Sequence, residues 1–321
     1  MDTGSPMLSL EDLKVEFPIS IGTVTAVNGV SLDLFQGEVM GLVGESGCGK
    51  STLGLSIPRL LRPPGRIASG RILYRGRDIV RMGKRELLSL RGSKIAMIFQ
   101  DPLTSLNPLY SIGHHFVETV RAHDGRVSRR EALGRAASVL ESLGIAAERL
   151  DEFPHQMSGG MRQRIMIGLA LILSPDLLIA DEPTTALDVI VEAQFLDLLD
   201  VLRKQYNLTI ILITHNLGNV AQLADRITVM YGGTIAEVGP AQSIFDRPLH
   251  PYTQGLLASI PNIRLDEPKL KTMAGSPPDL VDPPAGCVFH PRCPQVMDTC
   301  RQDRPPLFAR NGHKAACWLY R

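Results

Sequence analysis

Gly44-Glu45-Ser46-Gly47-Cys48-Gly49-Lys50-Ser51 stands between an apolar run, EVMGLV, and a helix-compatible segment, TLGLSI. It fits the spacing G-x-x-x-x-G-K-[ST] in the strand-to-helix context that this spacing requires. Glycines at these positions let backbone N–H groups curl around phosphate oxygens, Lys50 neutralises their charge, and the Ser51 hydroxyl suits magnesium. Thr52 adds a further phosphate contact. A nucleoside triphosphate site is therefore expected on Gly44, Ser46, Gly47, Gly49, Lys50, Ser51 and Thr52.

Working outward, short Val/Ile/Leu-rich runs end at polar loops: KIAMIFQ, PDLLIADEP and TIILITH. Their alternation with helical patterns predicts an α/β core, a mostly parallel sheet flanked by helices. LSLEDLKVEF, TAVNGVSLDLF and GRILYRGRDI alternate apolar and polar residues instead, which predicts an antiparallel sheet beside that core. Residues from about 112 to 175 are expected to form a helical subdomain, with GRAASVLESLGI its clearest stretch. Past Gly239 proline and loop residues increase, as in GSPPDLVDPPAG, so the expected boundaries are a 7–240 ATP-binding domain and a small, loop-rich 241–321 extension.

Leu177 to Ala180 lead into Asp181-Glu182-Pro183, two carboxylates at the C-terminal edge of a strand, where α/β sheets bind ligands. Alone, such a turn is merely solvated. Beside a phosphate loop, Asp181 is expected to hold magnesium through water and Glu182 to activate the attacking water.

Ser158-Gly159-Gly160, between Met157 and Met161-Arg162-Gln163-Arg164, resembles the signature sequence of the ABC ATPases. The outer residues depart from the commonest LSGGQ wording, and the MSGGM form resembles the peptide-importer branch. The resemblance implies that two ATPase chains sandwich two ATP molecules, with Ser158, Gly159 and Gly160 meeting the γ-phosphate held by the opposite chain. It also assigns Gln100 to a mobile loop reaching magnesium or the attacking water, and Thr185-Ala186-Leu187-Asp188 to the dimer interface. His215 becomes the residue that contacts γ-phosphate. Phe17 is the candidate for stacking on adenine; its other reading is a core side chain.

Composition agrees. The 321 residues are 44% hydrophobic and 21% charged, enough for a full core, and a net charge of +1 gives no basic field to gather nucleic acid. The longest apolar run, Ile165 to Leu173, stops at Ser174-Pro175-Asp176, short of the roughly 20 residues of a membrane span. The N-terminus lacks a secretory pattern, so a cytoplasmic protein is expected.

Cys287, Cys293, Cys300 and Cys317 cluster in a proline-rich, polar region. Clustered thiols in a reducing compartment suggest one tetrahedral site, either iron–sulfur or zinc, with His290 a competing zinc ligand. HPYTQGLLASIP and the cysteines that follow resemble the C-terminal extension of the oligopeptide, dipeptide and nickel importer ATPases. That resemblance favours a 4Fe-4S cluster and implies two transmembrane permease subunits, a second related ATPase and, indirectly, an extracytoplasmic binding protein. The remaining readings are a nickel or other small-solute importer, a soluble ABC ATPase without a transport role, and a nucleotide-dependent regulator. Retention of Lys50, Glu182 and His215 favours hydrolysis over the last.

Overall fold

The structure, a computed structural model, describes residues 4–100, 106–184, 188–259, 273–310 and 312–321, with the side chain of residue 189 left aside. The chain forms two compact units, Met1–Arg81 with Leu212–Arg321, and Met82–Ile211.

The first unit begins with β1 (Leu8–Ile19), β2 (Gly22–Leu34), β3 (Val39–Val43), α1 (Lys50–Ser56), β4 (Arg66–Tyr74) and β5 (Arg77–Asp78). The alternating segments form the antiparallel sheet expected from them, in the order β2-β1-β4-β5. Leu8, Leu10, Leu13 and Val15 are all buried although the step from Leu10 to Leu13 breaks the two-residue period. A register shift between Leu10 and Leu13 restores the phase, as a β-bulge does.

The second unit contains α2 (Lys84–Leu90), β6 (Ile95–Ile98), α3 (Ile112–His123), α4 (Arg129–Ser142), α5 (Gly159–Leu171), β7 (Leu177–Asp181) and α6 (Val189–Tyr206). β6 and β7 run parallel, pairing Ile95 with Leu177 through to Ile98 with Ala180. The longer helices start where short polar side chains accept a first-turn N–H: Ser111 from His114, Ser128 from Glu131, Ser158 from Met161 and Asp188 from Val191. Phe116, Val120, Ala132, Ala136, Leu140 and Ile165 form the apolar faces buried within the helical part.

Through β8 (Thr209–Thr214) the chain returns to the first unit, adding α7 (Leu217–Leu223), β9 (Arg226–Tyr231), β10 (Thr234–Pro240), α8 (Ala241–Asp246) and α9 (Pro251–Ala258). The last elements are α10 (Asp298–Gln302), β11 (Phe308–Arg310) and β12 (His313–Ala315). β3 pairs parallel with β9, and all five β3 residues are buried, as expected for a strand covered on both faces. β10 then pairs antiparallel with β9 on one side and with β12 on the other, so the chain beyond residue 240 joins the sheet that carries β3. No helix among the described residues is long and apolar enough to cross a membrane.

Candidate functional site: a phosphate loop and a signature turn

β3 delivers the chain directly into the glycine-rich loop. Gly44 has φ +152°, and a Cβ there would lie 2.2 Å from the Met230 carbonyl oxygen; at Gly49, with φ +101°, it would lie 2.1 Å from that of Ala26. Neither position accepts an L side chain, so the motif's spacing has a steric cause. The Lys50 ammonium is buried and donates to the carbonyl oxygens of Gly44 at 2.8 Å and Glu45 at 3.0 Å. Ser51 and Thr52 are half-buried at the start of α1, while Ser46 and Gly47 are exposed. The Cys48 thiol is buried beneath the loop, and burial pushes its pKa up, which leaves it a poor ligand.

Glu45 is gripped from the far end of the sequence. Its carboxylate accepts two hydrogen bonds from Arg292, Nη1 at 2.7 Å and Nη2 at 3.0 Å, and its backbone N–H donates to the Tyr252 hydroxyl at 2.8 Å. Reading the motifs did not find these contacts, because Glu45 occupies a variable position and Arg292 lies 247 residues away.

In the second unit, the parallel register ends β6 and β7 level with one another. The residues just beyond them consequently meet: Gln100 Nε2 donates to Glu182 Oε2 at 3.0 Å. Glu182 has φ +44°, a left-handed backbone that is uncommon for a side chain of this kind and recurrent at functional sites. Asp181, the last residue of β7, is buried with 7% of its surface exposed.

Ser158 caps α5, its hydroxyl accepting from Met161 N–H at 3.3 Å, with Met157 buried before it. Ser158, Gly159, Gly160 and Asp188 line one open cavity of about 510 Å³, so the signature turn and the start of α6 share a surface. Thr185, Ala186 and Leu187 lie outside the described residues. His215 is exposed immediately after β8, and Phe17 on β1 is half-buried against Gly65.

The cysteine cluster requires a correction. Cys287, Cys293, Cys300 and Cys317 do come together, but around a cavity of about 10 Å³, room for no more than a water molecule. Among the described residues no group of His, Cys, Asp or Glu is arranged to hold a metal ion. Burial pushes the thiols of Cys287 and Cys293 up, and that of Cys317 to about 11, as expected for thiols in apolar surroundings. Neither the expected 4Fe-4S cluster nor the alternative zinc fits; these cysteines pack as small apolar side chains beside Phe289 and Trp318.

Comparison with known proteins accords with this geometry. Residues 27–185 match the family described as ABC transporter, and residues 236–300 match the oligopeptide/dipeptide transporter C-terminal region. The chain is 48% identical to the dipeptide transport ATP-binding protein DppD of Bacillus subtilis, over 98% of this chain and 94% of that protein. It is 45% identical to the oligopeptide transport ATP-binding protein OppD of Salmonella typhimurium, over 97% of this chain and 93% of that one. Among solved structures, a dimeric bacterial ABC transporter cassette matches with TM-score 0.65 and 27% identity, covering 73% of this chain and 99% of that one. The same cassette, solved as a dimer in a post-hydrolysis state bound to ADP and phosphate, matches with the same TM-score and 25% identity over the same shares of the two chains. Likeness of this extent along the whole chain, together with a phosphate loop whose glycines are sterically required, means that this protein belongs to the ABC transporter ATPases, in their oligopeptide/dipeptide branch.

Proposed function

We propose that this ATPase drives an importer of dipeptides or oligopeptides from the cytoplasmic face of the cell membrane. The observation that carries the ATPase part is the closed phosphate loop, with Lys50 held on the carbonyls of Gly44 and Glu45. The substrate class rests on the relatives, named for dipeptide and oligopeptide transport.

In this reading residues 7–240 form the ATP-binding domain and 241–321 its extension. Lys50, Ser46, Gly47, Gly49 and Thr52 bind the phosphates, and Phe17 stacks on adenine. Gln100 steadies the Glu182 carboxylate, which accepts a proton from the attacking water. His215 contacts the γ-phosphate. Ser158, Gly159, Gly160 and Asp188 receive the nucleotide of a second, related ATPase, so that ATP joins two chains and hydrolysis parts them. The oxygen donors of Ser51, Asp181 and Gln100 suit magnesium, a hard cation, which when bound neutralises charge developing on the phosphate oxygens.

Two permease subunits and an extracytoplasmic binding protein complete the assembly. Vesicles reconstituted with the permeases and a partner ATPase should hydrolyse ATP faster when a peptide-loaded binding protein is inside. Stimulation by a non-peptide solute such as nickel, with none by peptides, would overturn the substrate assignment and leave the ATPase intact.

A further inference from the structure

The Arg292 guanidinium makes four polar contacts. Two go to the Glu45 carboxylate, Nη1 also donates to the Tyr231 hydroxyl at 3.2 Å, and Nε donates to the Ala274 carbonyl oxygen at 3.0 Å. Its side chain is only 5% exposed, and it lies 5.7 Å from the centre of the Tyr231 ring. Tyr231 in turn packs on Tyr252 at 4.5 Å and edge-on to Phe289 at 5.1 Å, so three buried aromatic rings brace the guanidinium and the Tyr252 hydroxyl that holds the Glu45 N–H.

A buried ion pair returns little net stability, because desolvation offsets most of the attraction; what it supplies is a fixed geometry. Here the fixed element is the second residue of the phosphate loop. Glu45 is tied at both its N–H and its carboxylate, while its carbonyl oxygen receives Lys50 at 3.0 Å. A shift of Glu45 would therefore move an acceptor that positions the lysine expected to meet the phosphates.

We infer that Arg292 is a positioning residue for nucleotide binding: with Tyr252 it latches the C-terminal extension onto the phosphate loop through Glu45 and so sets the affinity for ATP. The inference rests on the phosphate-binding role proposed above for this loop. It gives the extension a task in the nucleotide cycle that is independent of any metal.

The test is ATP affinity and steady-state hydrolysis of the full-length protein, each variant also checked by thermal melting. Arg292→Ala should raise Kd and KM for ATP roughly tenfold, the usual scale for one charge-assisted contact, with kcat within about twofold. Arg292→Lys, which keeps the charge but loses the two-pronged fit, should fall between. Glu45→Gln should weaken binding similarly, and adding Arg292→Ala to it should weaken binding little further.

ATP affinity equal to the parent's in Arg292→Ala would overturn the latch, as would fully additive effects of the two substitutions. If Arg292→Ala fails to fold, parental affinity in both Arg292→Lys and Glu45→Gln overturns it equally. Lys50→Ala separates the two claims. Lost binding there with unchanged affinity in the Arg292 and Glu45 variants sinks the latch alone, whereas retained binding there sinks the phosphate-loop reading beneath it.

Discussion

The phosphate loop and the signature turn are both glycine-bearing approaches to a helix, yet the fold treats them in opposite ways. In the loop, Gly44 and Gly49 press on backbone carbonyls and Glu45 is clamped by Arg292 and Tyr252. In the turn, Ser158 and Gly159 are exposed, and a Cβ added at Gly159 would meet nothing within 4 Å. The loop is shaped by its own chain. The turn is left open, the surface on which the proposed function seats the nucleotide of a second ATPase.

The contrast breaks most visibly at the chemistry. Lys50→Ala and Glu182→Gln should each lower ATP turnover by at least about a hundredfold, measured as phosphate release. They should differ in binding: Glu182→Gln keeps ATP and accumulates a dimer on size exclusion, while Lys50→Ala does neither. Normal turnover in Glu182→Gln would remove Glu182 as the base.

A smaller effect separates the two glycine sites. Gly49→Ala forces a Cβ against Ala26 in a left-handed backbone and should cost about 2–4 kcal/mol of stability in denaturant titrations. Gly159→Ala should change stability by less than about 0.5 kcal/mol, yet weaken the ATP-dependent dimer. Equal destabilisation at both sites would erase the distinction between a packed loop and an open turn.

Acid probes the extension that braces the loop. His250 caps α9 by accepting the Tyr252 N–H at 3.0 Å, and burial lowers its pKa from 6.5 to about 4. The unfolded chain therefore binds the proton first, so stability present above pH 6.5 is lost as pH falls toward 4, on the order of 3 kcal/mol. Neighbouring Glu237, raised by burial, works in the opposite sense over its own window. Melting curves from pH 7 to 4 should slope less in His250→Asn, which keeps a capping oxygen; an unchanged slope would acquit His250. A smaller loss of stability than at Gly49 belongs to Ser158→Ala, which removes the α5 cap and should cost about 1 kcal/mol in denaturant titrations.

Much of this was legible in the chain itself because it is local. Gly44-Ser51 carries its steric and electrostatic logic within eight residues, and Asp181-Glu182 and Ser158-Gly159-Gly160 carry theirs within three. The antiparallel strands followed from alternation, although the bulge after Leu10 did not, since register is settled only against a partner strand. The cysteines mark the limit: four thiols close in sequence suggested a metal, and only the packed structure shows a cavity of about 10 Å³ between them.

By itself, then, the sequence determined the nucleotide chemistry, the α/β class and the family, since backbone conformation, charge and strand periodicity are properties of neighbouring residues. Tertiary structure alone decided that Gln100 meets Glu182, that the thiols pack without room for a cluster, and that Arg292 holds Glu45. Each of those depends on distances between residues far apart along the chain, and such distances are created by packing.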